Sequence, residues 1–185
     1  MDEINSGMGV NGRIERNEYS TALLKQKYDS WESFDDKTKL QLLRGEEPEN
    51  VDVSYNVTTE LFHEYLVRNI DPDVSTNANL AAEWMALGDD SASGTDVTDT
   101  DLNNRVFKKE ITDHADNGNE LLASTFVSST EANNETLNEI GLYTGDPANL
   151  SNDSVFLINH ATFSDVVKDS DRTITFDVIL TFTDS

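Results

Sequence analysis

Asp99, Asp101 and Glu110, with Asn103 and Asn104 between them, stand at the spacing Asp-x-Asp-x-Asn-Asn-x5-Glu. That is the spacing of an EF-hand calcium loop, where oxygen donors at alternate positions and a closing Glu wrap one hard cation. The sixth position of such a loop turns sharply and usually carries Gly; here it is Asn104, which enters left-handed geometry less easily. The residues that follow alternate like a strand, whereas an EF-hand needs a helix there. With 36 Asp and Glu in 185 residues, chance matches are expected. The segment reads as a solvated acidic loop, and no metal ligand is assigned to it.

Paired carboxylates also serve glycoside hydrolysis, as general acid and as nucleophile or base. Glu131 and Glu139 lie near apolar segments and are the candidates. The chain is short for a fold with substrate subsites, so a buried Glu that bonds backbone is the expectation. There is no cysteine, which removes disulfides, thiolate metal sites and thiol nucleophiles. His63, His114 and His160 are far apart and lack the H-x-x-x-H pairing of a zinc helix. Neither G-x-S-x-G, a P-loop nor G-x-G-x-x-G occurs. Trp31 and Trp84 read as core or interface anchors, with a sugar platform as the alternative. Asn56, Asn134, Asn149 and Asn152 head N-x-S/T sequons, a weak signal in a chain rich in Asn, Ser and Thr. Glycosylation of exposed loops is the chemistry they allow. No catalytic, cofactor-binding or metal-binding residue is assigned, and the chain is read as non-enzymatic.

The elements that must position these residues fall into two regions. Residues 1–12 read as a flexible arm. From Ile14 to Trp31 the pattern predicts a helix, with Tyr19, Leu23, Leu24 and Tyr28 near one face. A second helix is predicted from Asp35 or Asp36 to Arg44, stopped by Gly45. A short extended piece, Val51-Asp52-Val53, leads to a third helix capped by Thr58 or Thr59. That helix buries Leu61, Phe62, Tyr65 and Leu66 and ends before Asp71-Pro72. After an apolar stretch, Leu80–Gly88, and a Ser/Thr/Asp/Gly loop, strands are predicted at 105–112, 120–128, 137–143, 155–163 and 173–182. The last alternates with a period of two over ten residues, and Asn117-Gly118 is a hairpin turn. The expected architecture is α+β: a helical docking region over 13–75, then an antiparallel β-sandwich-like domain over 76–185.

The formal net charge is -23, from 36 acids and 13 bases, yet eight Phe, five Tyr and two Trp argue for a real core. So negative a surface repels nucleic-acid phosphate, and Lys108-Lys109 is the only adjacent basic pair. No apolar run approaches the ~20 residues of a membrane span, and the first residues lack signal-peptide features. Neither nucleic acid nor membrane is an expected partner. The acids are dispersed, with net -8 over residues 1–80 and net -15 over 81–185. Dispersed carboxylates suit a protein that folds in concentrated salt, where a Debye length of a few Å screens their repulsion.

Several short motifs recur in a recognisable order: Trp84-Met85-Ala86-Leu87-Gly88-Asp89, then Thr100-Asp101-Leu102-Asn103-Asn104-Arg105-Val106, then Asn138-Glu139-Ile140-Gly141-Leu142-Tyr143. Ala161-Thr162-Phe163 and a closing strand ending Leu180-Thr181-Phe182 complete the set. In this order, over residues 80–185, the chain resembles the N-terminal virion-attachment domain of tail-collar fibre proteins of tailed viruses. Arg105 departs from the Glu that the family pattern often carries before Val106. Gly88 and Gly141 ask for a defined shape rather than for chemistry. The resemblance implies a virion structural protein: a tail-fibre or baseplate attachment component of a virus of a salt-loving archaeon. Fibre proteins continue into a shaft after this domain, so the attachment module alone is expected here. A capsid turret or decoration protein is the alternative, and a host-surface glycan-binding module is the alternative of another class. The implied partners are other tail, baseplate or capsid proteins and further copies of the chain, with a trimer as first expectation.

Overall fold

The computed structural model describes residues 8–70, 80–152 and 154–184. Nine strands dominate: β1 (Met8–Ser20), β2 (Asn50–Thr58), β3 (Trp84–Gly88), β4 (Arg105–Glu110), β5 (Asp113–Asp116), β6 (Glu120–Val127), β7 (Thr136–Tyr143), β8 (Leu157–Val167) and β9 (Arg172–Asp184). Three short α-helices interrupt them among the described residues: α1 (Thr21–Lys27), α2 (Asp36–Leu43) and α3 (Glu60–Ile70). All pairings are antiparallel, in the order β4-β3-β7-β8-β2-β1-β9-β6-β5.

The sheet curls because two segments change partners along their length. Asn50–Asn56 of β2 pair with β1, after which Val57 and Thr58 pair with β8. At the opposite corner β4 pairs with β3; the Ile111 N–H then donates to the Glu83 carbonyl and the Thr112 N–H to the Ser124 carbonyl, and β5 continues along β6. Residues 105–116 thereby join the two ends of the strand order, leaving little open edge to recruit another chain. One core fills the space between the two halves. Ile14, Val127, Ile174, Phe176 and Val178 come from one side, and Met85, Leu87, Ile140, Leu142 and Ile158 from the other.

This arrangement overturns the α+β expectation. Among the described residues there is no helical N-terminal region followed by a β-sandwich-like domain. Residues 8–20 are the longest-paired strand of the sheet, matched with β9 from Met8↔Asp184 to Ser20↔Arg172. The reason is visible in what β1 buries. Its inward positions run Ile14, Arg16, Glu18, and the last two are an ion pair at 3.1 Å with almost no exposure. Two charges at inward positions erase the apolar alternation by which a strand is recognised. Leu23, expected on a buried helix face, is 58% exposed. Of the residues expected in a flexible arm, 8–12 lie in β1 and 1–7 fall outside the described residues.

The helices serve the sheet. Ser20 and Asp35 cap α1 and α2 through their side-chain oxygens, as their chemistry favours. These helices carry Leu24, Leu40 and Leu43, which pack with Trp31 on Tyr19 and Phe126. Phe126 and Val127 are adjacent on β6 and point to opposite faces, one to this cluster and one to the main core. Thr59 accepts the Phe62 N–H at 3.2 Å and donates to the Leu157 carbonyl at 2.6 Å, so it caps α3 and ties it to β8. Asn117-Gly118 forms the predicted turn between β5 and β6, with Gly118 at φ +69°.

Candidate functional site

The most concentrated polar chemistry lies where β3, β7 and β8 run side by side. Glu139 is in the middle of β7, opposite Gly88 on β3 and Thr162 on β8. Its side chain has 0% exposure, and a carboxylate so placed must be met by donors. Oε1 accepts the Asp90 N–H at 2.7 Å and the Asn104 N–H at 3.4 Å; Oε2 accepts the Asn103 N–H at 2.9 Å. His160 on β8 is also fully buried. Its Nε2 lies 2.9 Å from Glu139 Oε2 and its Nδ1 lies 2.6 Å from Asp99 Oδ2. The Asp99 carboxylate in turn accepts the Asp96 N–H at 2.7 Å.

Three further side chains close this knot. Asn138 accepts the Ser91 N–H at 3.0 Å through Oδ1. Asn103 donates through Nδ2 to the carbonyls of Asp90 and Gly94. Asp101 Oδ1 accepts from the Tyr143 hydroxyl at 2.7 Å and from the Leu102 N–H at 2.9 Å, and pairs with Arg105. Burial, and then the Asp101 carboxylate, push the Tyr143 phenol far above its ordinary value, so it remains a hydrogen donor. Beneath these polar groups Leu102 packs on Ala86, Tyr143 and Leu157.

The glycines are part of the same construction. A Cβ on Gly88 would lie 2.6 Å from the Asn104 carbonyl oxygen and 2.9 Å from Glu139 Oε1. On Gly141 it would lie 2.6 Å from Leu157 Cδ1 and 3.0 Å from Leu102 Cδ2. At Gly88 the close neighbour is backbone, which leaves no room for a side chain, whereas at Gly141 the two closest atoms are Leu side-chain ends and the Asn159 carbonyl lies at 3.2 Å.

The arrangement orders a loop. Residues 89–104 are held by backbone N–H groups donated to Glu139 and by side chains that reach back to β7 and β8. A general base needs a nitrogen or oxygen free to take a proton from a substrate. Both His160 nitrogens face carboxylates, and both Glu139 oxygens are filled by protein donors.

The other candidates are dispersed. In the EF-hand-like segment, Asp99 turns to His160, Asp101 to Tyr143 and Arg105, and Asn104 to Asp89 through its amide, while Glu110 is exposed on β4. These side chains diverge, and no group of three or more His, Asp or Glu able to hold a metal ion occurs among the described residues. Glu131 follows β6 and meets Lys109 at 2.7 Å and the Ser128 N–H at 2.9 Å. Burial opposes its ionisation, but Lys109 and that N–H outweigh it and hold the carboxyl below its ordinary value. Glu131 and Glu139 thus serve separate sets of partners.

His63 contacts Thr58 at 3.0 Å and His114 contacts the Ala82 carbonyl at 2.7 Å. Trp31 is buried against Phe126; Trp84 is half-buried, with the Lys108 ammonium 5.2 Å from its ring centroid. A groove of about 500 Å³ runs past Trp84, and its lysines are already paired, Lys37 with Asp113, Lys108 with Asp146 and Lys109 with Asp36. Asn134, Asn149 and Asn152 are exposed, whereas the Asn56 amide is buried inside β2. Sequence reasoning named Asp99, Glu139 and His160 singly and did not join them, because Glu139 and Asp99 lie 21 and 61 residues from His160.

No protein-family model, curated protein or solved structure matches the chain. Among the described residues no helix is long and apolar enough to cross a membrane.

Proposed function

We propose that this chain is a non-enzymatic virion protein of a tailed virus living in concentrated salt, serving as a tail-fibre or baseplate attachment component. One observation carries the reading. The residues of the separate motifs, Gly88, Leu102, Asn103, Asn104, Glu139 and Gly141, meet in a single knot, and each is used to shape and hold the 89–104 loop. A rigidly held acidic loop on a curled β framework suits a part that must dock in one orientation. Dispersed carboxylates keep such a part soluble in brine. Its partners are other virion proteins and further copies of itself, with a trimer the first expectation.

The test is localisation on intact particles with a labelled antibody. Label at the tail tip or baseplate is expected. Label on capsid vertices would move the reading to a turret or decoration protein, and absence from virions would refute it. A glycan array in molar salt separates the remaining class: specific binding would make this a host-surface recognition module.

A further inference from the structure

Lys168 has 0% exposure and follows β8 directly, in a protein without cysteine. Its Nζ lies 3.1 Å from Asn133 Oδ1 and 2.7 Å from the Asp169 carbonyl. Two backbone bonds fix the register of the facing segments: the Asn134 N–H donates to the Lys168 carbonyl and the Lys168 N–H to the Glu135 carbonyl, each at 2.9 Å. Asn133 itself is clamped by its Nδ2, which donates to the Ser129 carbonyl at 2.8 Å.

The backbone around Asn133 is strained. Ala132 has φ 51° and Asn134 has φ 71°, and among the described residues these are the only non-glycine positions with positive φ. Asn tolerates that region, but Ala does so at a cost. Two left-handed residues bracket the one side chain that meets the buried amine. Strain of this kind persists where surrounding structure over-determines it, and it marks functional positions more often than chance.

We propose that Lys168 and Asn133 form an intramolecular isopeptide crosslink. The Lys168 Nζ lone pair attacks Asn133 Cγ and a new C–N bond forms. The bond from Cγ to Nδ2 breaks, one Nζ hydrogen passes to Nδ2, and ammonia leaves; no oxidant or cofactor is needed. The attacking amine must be neutral. Burial lowers Lys168 to about 8, against the opposing charges of Asp169 and Glu131, so a usable neutral fraction exists near neutral pH. The 3.1 Å contact is to Oδ1, the oxygen bonded to Cγ, and the attack requires Nζ to close on Cγ itself to the ~3–3.5 Å separation of a near-attack pair. The bond would close a loop between positions 35 residues apart and supply the covalent staple that a cysteine-free chain cannot obtain from a disulfide. It does not depend on the virion reading.

Intact-mass spectrometry of the folded protein, purified in molar salt, tests this directly. The expected mass falls about 17 Da below that of the sequence, the loss of one ammonia. Tandem spectra of a digest should contain a branched peptide joining residues 133 and 168. Lys168→Arg and Asn133→Ala should each restore the full mass. A wild-type protein at full mass, or a 17 Da loss that maps to other residues (about one ammonia, as above), would overturn the proposal. The wild-type measurement decides the matter even if a variant fails to fold.

Discussion

Glu139→Gln leaves the shape of the side chain nearly unchanged and turns one carboxylate oxygen, an acceptor, into an amide that donates. Oε1 serves the N–H groups of Asp90 and Asn104, and Oε2 serves Asn103 and His160. Whichever way the amide turns, one of these pairs loses its acceptor and faces another donor. A hydrogen bond to a charged group contributes about 1.5–3 kcal/mol, and removing one partner from a buried charged network costs about 3–5 kcal/mol. The Asn104 contact is long at 3.4 Å, so the smaller loss is expected if Oε1 is the atom replaced. A destabilisation of about 3–5 kcal/mol is a large share of the 5–15 kcal/mol typical of a domain. Urea unfolding in molar salt, followed by tryptophan fluorescence, measures it. Hydrogen exchange at the amides of residues 90 and 103 locates it, because the loop should open before the sheet does. A loss below about 1 kcal/mol, with both amides still protected, would show that Glu139 is not the anchor of the loop.

The remaining predictions concern packing, pH and salt. Gly88→Ala drives a Cβ to within 2.6 Å of a backbone oxygen, and a loss of about 1–3 kcal/mol in the same urea assay is expected; an unchanged midpoint would mean that β3 and the loop shift freely. Burial raises the Asp177 carboxyl above its ordinary value; its bond from Ser124 and the charge of Arg44 oppose that, and Glu15 adds to it. The unfolded chain then releases this proton at lower pH than the folded one, so Asp177 costs stability progressively as pH rises above the ordinary aspartate range. Asp177→Asn should therefore raise stability at pH 7 more than at pH 4, and equal changes at both would contradict the reasoning. Lowering salt from molar to about 0.1 M lengthens the Debye length from about 3 to about 10 Å. The melting temperature should fall over that range, and a flat profile would argue against adaptation to brine.

Local signals that depend on near neighbours were readable from the chain. Strict alternation from Thr173 to Phe182 marks β9, whose span is Arg172–Asp184. Asp35 and Thr59 announce the starts of α2 and α3 through side chains that accept N–H groups three residues on. The hairpin at Asn117-Gly118 follows from the ease with which that pair turns. Composition sets the acidic surface and rules out cysteine chemistry, and the ordered motifs point to positions that later prove to touch.

Tertiary structure alone decided what those positions do. β1 could not be recognised as a strand because Arg16 and Glu18 occupy its inward face, and only their partners make that tolerable: each other, Asp52 and Arg172. The curl of the sheet depends on β2 and on residues 105–116 exchanging partners midway, a choice no local pattern expresses. Glu139, His160 and Asp99 are ordinary polar residues until three distant segments bring them within hydrogen-bond reach. A buried charge is stable only with its donors in place. Sequence records the charge, and the fold supplies the donors.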